Sequence, residues 1–438
     1  MSNSCELLPV RGSFLDFSGP VEEIAELESK ARYLEDGLML VRDGRIESLL
    51  PFAEGLKALP DGLRIRDYRG KLIVPGLIDT HIHYPQTELV GAYGEQLLDW
   101  LNKYTFPTEG QYRDFDHASV ISEFFLRQLL SNGTTTALVF CAVYPQSAEA
   151  FFEAAERQNM RVIAGKVLMD RNAPDYLLDT PQSGYDDSKA LIEKWHNRGR
   201  LLYAVTPRFA PTSSPEQLEM ASALMKEYPG VYMQTHLSEN KSEVEWVKSL
   251  YPSNKNYLDV YASFGLTGPR SLFAHSIHLE EAEWRVFSET DSVISFCPTS
   301  NTFLGSGLFN LAQARKNKVR VGLATDIGGG TSFNQLVTLG EAYKVLQLQG
   351  YKFTPYEAIY TATLGSAQAL SLDDKIGNFD KGKEADFVVL DLTSTPLAQL
   401  RYDNSKTLAE KLFVLTTIGD DRGIYRTYVS GRLAHARG

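Results

Sequence analysis

The sequence predicts an α/β fold, a (β/α)8 TIM barrel with a small β-sandwich domain built from both ends of the chain. Apolar runs typical of buried strands alternate with amphipathic helical stretches through the middle of the chain, which indicates a parallel sheet. Eight such units fit within roughly 300 residues, as expected for an eight-stranded barrel. Shorter runs bounded by turn residues, typical of a separate β structure, occur at both ends of the 438-residue chain.

The two chain ends are predicted to share one small domain. Residues 1–72 contribute its first part, with three short strands expected at 12–17, 37–41 and 45–50. The Asp43-Gly44 pair between the last two is typical of a hairpin turn. A similar pattern returns at 385–390 and 425–431, so residues 381–438 are predicted to complete the domain. Two unrelated terminal additions are the alternative.

The middle segment, residues 73–380, is the predicted barrel. Its eight apolar runs, the first beginning just before the segment, are 72–80, 135–140, 161–168, 201–206, 231–236, 271–275, 292–297 and 319–326. Helices are expected between them, for example at 118–130, where Gly133 would end the helix, at 215–228, from Phe333 and at 355–370. A doubly wound open sheet is the alternative, but no glycine-rich dinucleotide loop follows the first run.

Charge and cysteine content exclude several classes of protein. The net charge of −11 and the pI near 5.4 leave no basic stripe to neutralise phosphates. The cysteines, Cys5, Cys141 and Cys297, are odd in number and far apart, which predicts neither a disulfide framework nor a CxxC zinc site. No signal peptide and no membrane-spanning apolar run is visible. We therefore expect a soluble cytoplasmic protein that binds neither nucleic acid nor membranes.

Two histidines, His81 and His83, end the first barrel run. Residues two apart on a strand point to the same face, so both imidazoles can converge on one point. Two neutral imidazoles suit zinc or a similar divalent ion. A pair of hydrogen-bonded core histidines is the alternative for this motif alone.

Further polar residues follow other predicted strands. His236 ends the fifth run with Glu239 three residues later, His275 ends the sixth and Asp326 ends the eighth. Functional residues of such barrels occupy the carboxyl ends of the strands, and core histidines have no reason to gather there. The pattern therefore favours a metal site.

Other candidate residues have simpler interpretations. His278 is equally well explained as a loop residue, and Cys297, which ends the seventh run, could line the site or act as a small buried hydrophobic residue. The remaining histidines lie in helical or terminal segments and are expected to be solvated: His117, His196 and His435.

The sequence contains seven distinctive stretches: PGLIDTHIH at 75–83, LDWL at 98–101, YTFP at 104–107, RFAPT at 208–212, HLSE at 236–239, CPTSN at 297–301 and TDIGGGTS at 325–332. Through these stretches the chain resembles the guanine deaminase branch of the amidohydrolase superfamily over nearly its whole length. The histidine pair and the aspartate alone specify only the superfamily. The segment 100–107, the Arg208-Phe209 pair and the glycines after Asp326 are specific to the branch.

The resemblance implies one zinc ion per chain and a set of site residues. It makes the metal ligands His81, His83, His236 and Asp326, and the catalytic residues Glu239, His275 and Asp326. The residues that it places against the purine are Gln86, Arg208 and Phe209, together with His83, His236, Glu239 and Asp326. Binuclear relatives carry a bridging lysine after strand four, where this chain has Thr206-Pro207-Arg208. Lys166, on the third run, is expected to be structural.

The resemblance also implies the reaction, hydrolytic deamination of free guanine to xanthine and ammonia in purine catabolism or salvage, by a homodimer. The metal would lower the pKa of a bound water from about 15.7 towards 7, and Glu239 would shuttle protons. Arg208 offers only donors, which suits the purine carbonyl. Phe209 would contact the ring, Gln86 its nitrogens, and the loop 304–308 would help close the site.

Two other functions compete with this interpretation. A deaminase or hydrolase of the same superfamily that acts on cytosine, an adenine compound or a triazine would have the same metal site. A barrel that has lost catalysis and serves as a binding or scaffold protein should lack one or more ligands. All four ligand candidates and Glu239 are present here, which argues against the scaffold.

Overall fold

The strands in the described part of the chain form two sheets. The structure, a computed structural model, describes residues 7–19, 21, 24–60, 62–94 and 96–437, so Cys5 lies outside the described residues. The described strands are β1 Leu7–Phe17, β2 Ala31–Arg42, β3 Arg45–Pro51, β4 Arg66–Pro75, β5 Leu77–His83, β6 Thr134–Phe140, β7 Arg161–Gly165, β8 Val167–Leu168, β9 Leu201–Pro207, β10 Tyr232–Leu237, β11 Ser271–His275, β12 Val293–Phe296, β13 Arg320–Leu323, β14 Phe387–Leu390, β15 Ile424–Val429 and β16 Arg432–Ala436.

The α-helices fall mainly between the barrel strands and after them. They are α1 Leu27–Lys30, α2 Phe52–Gly55, α3 Leu97–Trp100, α4 Phe106–Glu109, α5 Phe115–Ser131, α6 Pro145–Gln158, α7 Pro181–Trp195, α8 Pro215–Glu227, α9 Lys241–Leu250, α10 Tyr257–Ser263, α11 Glu281–Thr290, α12 Pro298–Phe303, α13 Leu311–Lys316, α14 Gln335–Leu348, α15 Pro355–Tyr360, α16 Ser366–Ala369, α17 Pro396–Asp403 and α18 Leu408–Ile418. None of the described helices is long and apolar enough to cross a membrane.

The larger sheet forms a nearly closed parallel barrel, as predicted. Its strand order is β5-β6-β7-β9-β10-β11-β12-β13, with the short β8 paired to β9. Just beyond β13 the last strand segment meets the first. The Asp326 N–H donates to the His81 carbonyl at 3.0 Å, and the His83 N–H donates to the Ile327 carbonyl at 3.0 Å. The barrel therefore closes at the residues that end its first and last strands.

The smaller sheet combines both ends of the chain in the order β16-β15-β14-β4-β1-β2-β3. It curls, because Ala385 donates to Gly44 at 2.8 Å and Gly431 donates to Ala385 at 2.8 Å. These bonds join the β2–β3 turn to the β15–β16 turn. The predicted β structure of both chain ends is thus present, and the boundaries at residues 72 and 380 stay a prediction.

The first apolar run, predicted as one strand, forms two strands that belong to different sheets. β4 ends at Pro75 in the small sheet and β5 begins at Leu77 in the barrel. A Cβ on the intervening Gly76 would lie 2.0 Å from the Thr135 hydroxyl oxygen, so only glycine fits this crossing. The predicted helix at 355–370 is continuous through α15, a π-helical turn at Thr361–Gly365 and α16.

Apolar side chains fill the amino-terminal end of the barrel. The buried residues that pack together there are Ile78, Leu138, Ile163, Ala204, Tyr232, Leu272 and Val293 from the strands, with Leu370 and Ile376 from the segment after α16. This layer excludes water from one end of the barrel. The polar residues at the strand ends are left at the other end.

Candidate active site

The predicted metal ligands lie together at the carboxyl end of the barrel. β5 supplies His81 and His83, β10 supplies His236, and Asp326 follows β13. His81 Nε2 lies 3.2 Å from Asp326 Oδ1, and His83 Nε2 lies 3.5 Å from the same oxygen. His83 Nε2 also lies 3.2 Å from His236 Nε2. The four side chains therefore surround one point.

The chemistry of these donors fits a divalent ion. The Nδ1–H of His236 donates to the Arg208 carbonyl at 2.7 Å, which leaves its Nε2 as a lone-pair donor, the usual arrangement behind a metal-binding histidine. The buried His81 Nε2 makes no hydrogen bond. Burial lowers the pKa of all three histidines, that of His83 and His236 most strongly. Neutral imidazoles and a carboxylate are zinc ligands.

Backbone strain is present beside the ligands. Of the twelve described non-glycine residues with a left-handed φ, four lie here: Ser238 at 49°, His275 at 68°, Ser276 at 50° and Asp326 at 51°. Such conformations cost on the order of 1–3 kcal/mol each and are often found at functional sites. Two of the four are predicted site residues.

Glu239 and His275 form an acid–base pair beside the ligands. Glu239 Oε2 lies 3.5 Å from His275 Nε2, and its Oε1 accepts from the Ser306 hydroxyl at 3.2 Å. Burial raises the pKa of Glu239 to about 7. Burial alone would lower the pKa of His275, but the charges of Glu239 and Asp326 outweigh it and raise that pKa. The Nδ1–H of His275 donates to Asn301 Oδ1 at 2.8 Å, so its Nε2 faces the carboxylates.

Gln86 and Arg208 meet at a residue that the sequence analysis did not identify, Glu109 at the end of α4. Arg208 Nη1 donates to Glu109 Oε1 at 3.0 Å and to Oε2 at 2.7 Å. Gln86 Nε2 donates to Glu109 Oε1 at 2.9 Å. The Gly328 N–H donates to Gln86 Oε1 at 3.4 Å. These residues form a second polar cluster, which is also buried.

A cavity lies between the two polar clusters. Both clusters contribute to its lining, and apolar side chains complete the walls: Leu97, Trp100, Leu101, Phe209 and Leu304. The Phe209 ring is held edge-on by Trp246, with the ring centres 6.2 Å apart. A small, largely apolar cavity with polar groups at defined positions suits a flat heterocyclic ligand.

Comparisons with known proteins agree with this geometry. Residues 72–434 match the Amidohydrolase family. The guanine deaminase of Escherichia coli strain K12 is 63% identical over 437 residues, which cover 100% of each chain. The chain belongs to the guanine deaminase branch of the amidohydrolase family. The resemblance stated from the sequence is therefore confirmed.

Solved structures of the guanine deaminase branch share the fold. E. coli guanine deaminase has a TM-score of 0.96 and 61% identity, with 99% of this chain and 100% of that chain covered. The guanine deaminase from C. acetobutylicum with bound guanine in the active site has a TM-score of 0.87 and 30% identity, with 98% and 100% covered.

Glu109 had no sequence signal, whereas Ser306 and His278 belong to segments that the sequence analysis had considered. Glu109 follows the YTFP stretch but is separated from its partner Arg208 by three barrel strands. Ser306 lies in the loop that was expected to help close the site. The His278 Nε2–H donates to the Ser306 carbonyl at 2.9 Å, so His278 supports that loop and does not enter the cavity lining.

Cys297 and Lys166 are both buried, in different surroundings. The Cys297 sulfur lies within 4.8 Å of donor atoms of His81, His275 and Asp326. Burial raises its pKa well above the usual value, so the sulfur is a thiol. Lys166 Nζ donates to Asp179 at 2.8 Å, which explains a buried lysine without a catalytic role.

Proposed function

We propose that this protein is a guanine deaminase that hydrolyses free guanine to xanthine and ammonia. The observation that carries the proposal is the cavity itself, which sets a histidine–carboxylate cluster opposite the buried Gln86–Glu109–Arg208 cluster. The first cluster suits hydrolysis and the second suits recognition of a polar heterocycle. The relative that is named guanine deaminase matches the chain from end to end.

One zinc ion per chain is part of the proposal, held by His81, His83, His236 and Asp326. The unpartnered His81 Nε2, the facing Nε2 atoms of His83 and His236, and the nearby Asp326 carboxylate support it. When bound, zinc supplies a water whose pKa is lowered towards neutrality. Elemental analysis that finds two metals per chain, or full activity without metal, would overturn this assignment.

Glu239 is proposed to move the protons of the reaction. Its carboxyl faces the cavity beside His275, so it can take a proton from the attacking water and give it to a ring nitrogen as C2 of guanine becomes tetrahedral. The same carboxylate then takes the remaining proton from the hydroxyl on C2 and passes it to the amine, which leaves as ammonia while the C2 carbonyl of xanthine forms. His275 and Asp326, whose side chains lie 3.7 Å apart, accept hydrogen bonds from the water and set its direction of attack.

Arg208 and Phe209 are proposed to select the purine. The Arg208 guanidinium has donors only, so it pairs with the carbonyl at C6 of guanine and opposes the amine at C6 of adenine. A site built for such a bond rejects analogues that lack the partner by roughly 10⁴-fold. Phe209 supplies the apolar face against the ring.

The wider setting of the enzyme is also proposed. We infer that it acts in the cytoplasm, in purine catabolism or salvage, as a homodimer, as its resemblance to the guanine deaminase branch suggests. Light scattering coupled to size exclusion measures the assembly directly. A monomer with full activity would refute the dimer and leave the reaction untouched.

Ammonia release from guanine, adenine and cytosine tests the proposed reaction. We expect rapid release from guanine, release from adenine and cytosine slower by about 10⁴-fold or more, and xanthine as the product by ultraviolet spectrum. Preference for adenine or cytosine would refute the substrate assignment while leaving the hydrolytic site in place.

A further inference from the structure

Glu109 takes no part in the proposed proton transfers, yet it is a glutamate buried to 1% exposure beside the cavity. A buried carboxylate is costly unless it is paired and fully hydrogen-bonded. Its oxygens accept three hydrogen bonds, two from Arg208 Nη1 and one from Gln86 Nε2. Both donors belong to side chains that line the cavity, whereas Glu109 itself is outside the lining.

The bond to Gln86 determines how that amide is oriented. Glu109 can only accept, so it selects the Nε2 end of the amide, and the Gly328 N–H can only donate, so it selects the Oε1 end. In the reversed orientation, the Gln86 oxygen would face the Glu109 carboxylate and the Gln86 NH₂ would face the Gly328 N–H, so neither hydrogen bond could form. Gln86 therefore has one orientation, with donor and acceptor in fixed places.

The bonds to Arg208 determine how the guanidinium is held. One nitrogen, Nη1, contacts both Glu109 oxygens, and the Phe106 ring centre lies 5.6 Å from the guanidinium carbon. Neither Arg208 nor Gln86 can rotate away from Glu109 without breaking a buried, charge-assisted hydrogen bond. The Glu109 charge also neutralises Arg208 close to the proposed cation.

We propose that Glu109 is a positioning residue that fixes the order of donors and acceptors presented by Gln86 and Arg208, and thereby restricts the enzyme to rings with a carbonyl next to an N–H. This inference rests on the proposed function. The edge that it selects is the C6 carbonyl and N1–H of guanine. An amine next to an unprotonated ring nitrogen presents the reverse order and is rejected.

The test compares guanine with 2,6-diaminopurine, which keeps the amine at C2 and replaces only the selected edge. Glu109→Gln keeps the shape, but its amide can donate to Gln86 and so favours the reversed orientation. We expect KM for guanine to rise at least about 10-fold, from the loss of charge-assisted hydrogen bonds, with a smaller change in kcat. The preference for guanine over 2,6-diaminopurine should fall by at least about 10-fold.

Glu357→Gln is the matched control, because Glu357 is also a buried glutamate that accepts from an arginine, Arg315 at 3.3 Å, but lies outside the cavity lining. It should change thermal stability without changing KM or substrate preference. Glu109→Asp is the second variant if Glu109→Gln does not fold. The shortened acid cannot reach both partners, so it should lose preference in the same direction.

The outcomes separate this inference from the proposed function. Wild-type activity on guanine decides the function, whereas the preference ratio of the variants decides the role of Glu109. An unchanged ratio in folded Glu109→Gln or Glu109→Asp would overturn the inference. Equal losses in kcat on both substrates, with KM unaltered, would overturn it as well, because they would indicate a structural or catalytic role.

Discussion

At the scale of residues, the proposed roles divide the site into a part for proton transfer and a part for recognition. Glu239 contacts His275 and Ser306 beside the proposed metal ligands, whereas the Arg208 guanidinium contacts Glu109 in the other polar cluster. Variants of the two residues should therefore alter different kinetic constants.

Glu239→Gln should lower kcat for guanine by roughly 10²–10⁴-fold, because the amide keeps the shape but cannot carry a proton. Zinc content and melting temperature should stay near the wild-type values. The control is Glu245→Gln, since the Glu245 side chain is 72% exposed on the following helix. Loss of zinc from Glu239→Gln would show that Glu239 supports the metal instead.

Removal of Arg208 should weaken guanine use by at least about 10-fold in kcat/KM. Arg208→Leu leaves Glu109 buried without its cation, which destabilises the fold as well. The double variant Arg208→Leu with Glu109→Leu removes both charges and serves as the stability control. Steady-state kinetics on guanine, beside melting curves, separates the two effects. Unchanged kcat/KM in Arg208→Leu would contradict the recognition role.

At the scale of elements, strands were easier to predict than the points where strands change sheets. The apolar runs and the polar residues after them predicted the barrel and the strand-end histidines, because burial on both faces leaves a continuous apolar signature. The run at 72–80 was predicted as one strand, although Pro75-Gly76 within it is a turn signal. The neighbour that forbids a side chain at Gly76, Thr135, belongs to the next strand and cannot be identified from the local sequence.

The same limit applies to the site. His81, His83 and His236 were recognisable because each occupies the end of a strand. Glu109 was not, because its proposed role depends on Arg208, which is distant in sequence and adjacent only in the folded barrel. Local patterns identify residues that face a site, but not the buried residues that orient them.

Close strand packing gives a prediction at this scale. A Cβ on Gly165, the last residue of β7, would lie 1.8 Å from the Ala204 carbonyl oxygen on β9. Gly165→Ala should therefore force the strands apart and destabilise the protein by about 1–3 kcal/mol, measured by chemical denaturation. Gly423→Ala is the control, because the nearest atom to its Cβ would be 3.4 Å away. Equal stability of the two variants would contradict this account.

At the scale of the whole molecule, an ionic cluster ties the barrel to the chain after residue 380. Glu384 accepts from Arg161 Nε at 2.7 Å and from Arg200 Nε at 3.0 Å, and Arg200 also pairs with Asp386. Arg161 begins β7, so the cluster lies at the amino-terminal end of the barrel. The candidate site lies at the opposite end.

Glu384→Gln should lower the free energy of unfolding by roughly 3 kcal/mol, because it leaves the buried Arg161 without its carboxylate partner and Arg200 with Asp386 alone. Guanine turnover below the melting temperature should be unchanged. Glu123→Gln is the control, since its partner Arg157 is 54% exposed and such surface pairs contribute about 0–1 kcal/mol. A kinetic defect in Glu384→Gln at low temperature would show that the cluster influences the site.

The closure of the barrel between His81 and Asp326 has a consequence for how the protein is made. A nascent chain that has completed β5 offers two histidines, but the aspartate emerges only after the remaining barrel strands have been synthesised. Contacts so distant in sequence form late in folding. Metal at 100 times its dissociation constant would add about 2.7 kcal/mol to a form that binds it. Only a completed barrel holds all four proposed ligands and receives this stabilisation. Metal uptake therefore distinguishes complete molecules from truncated ones.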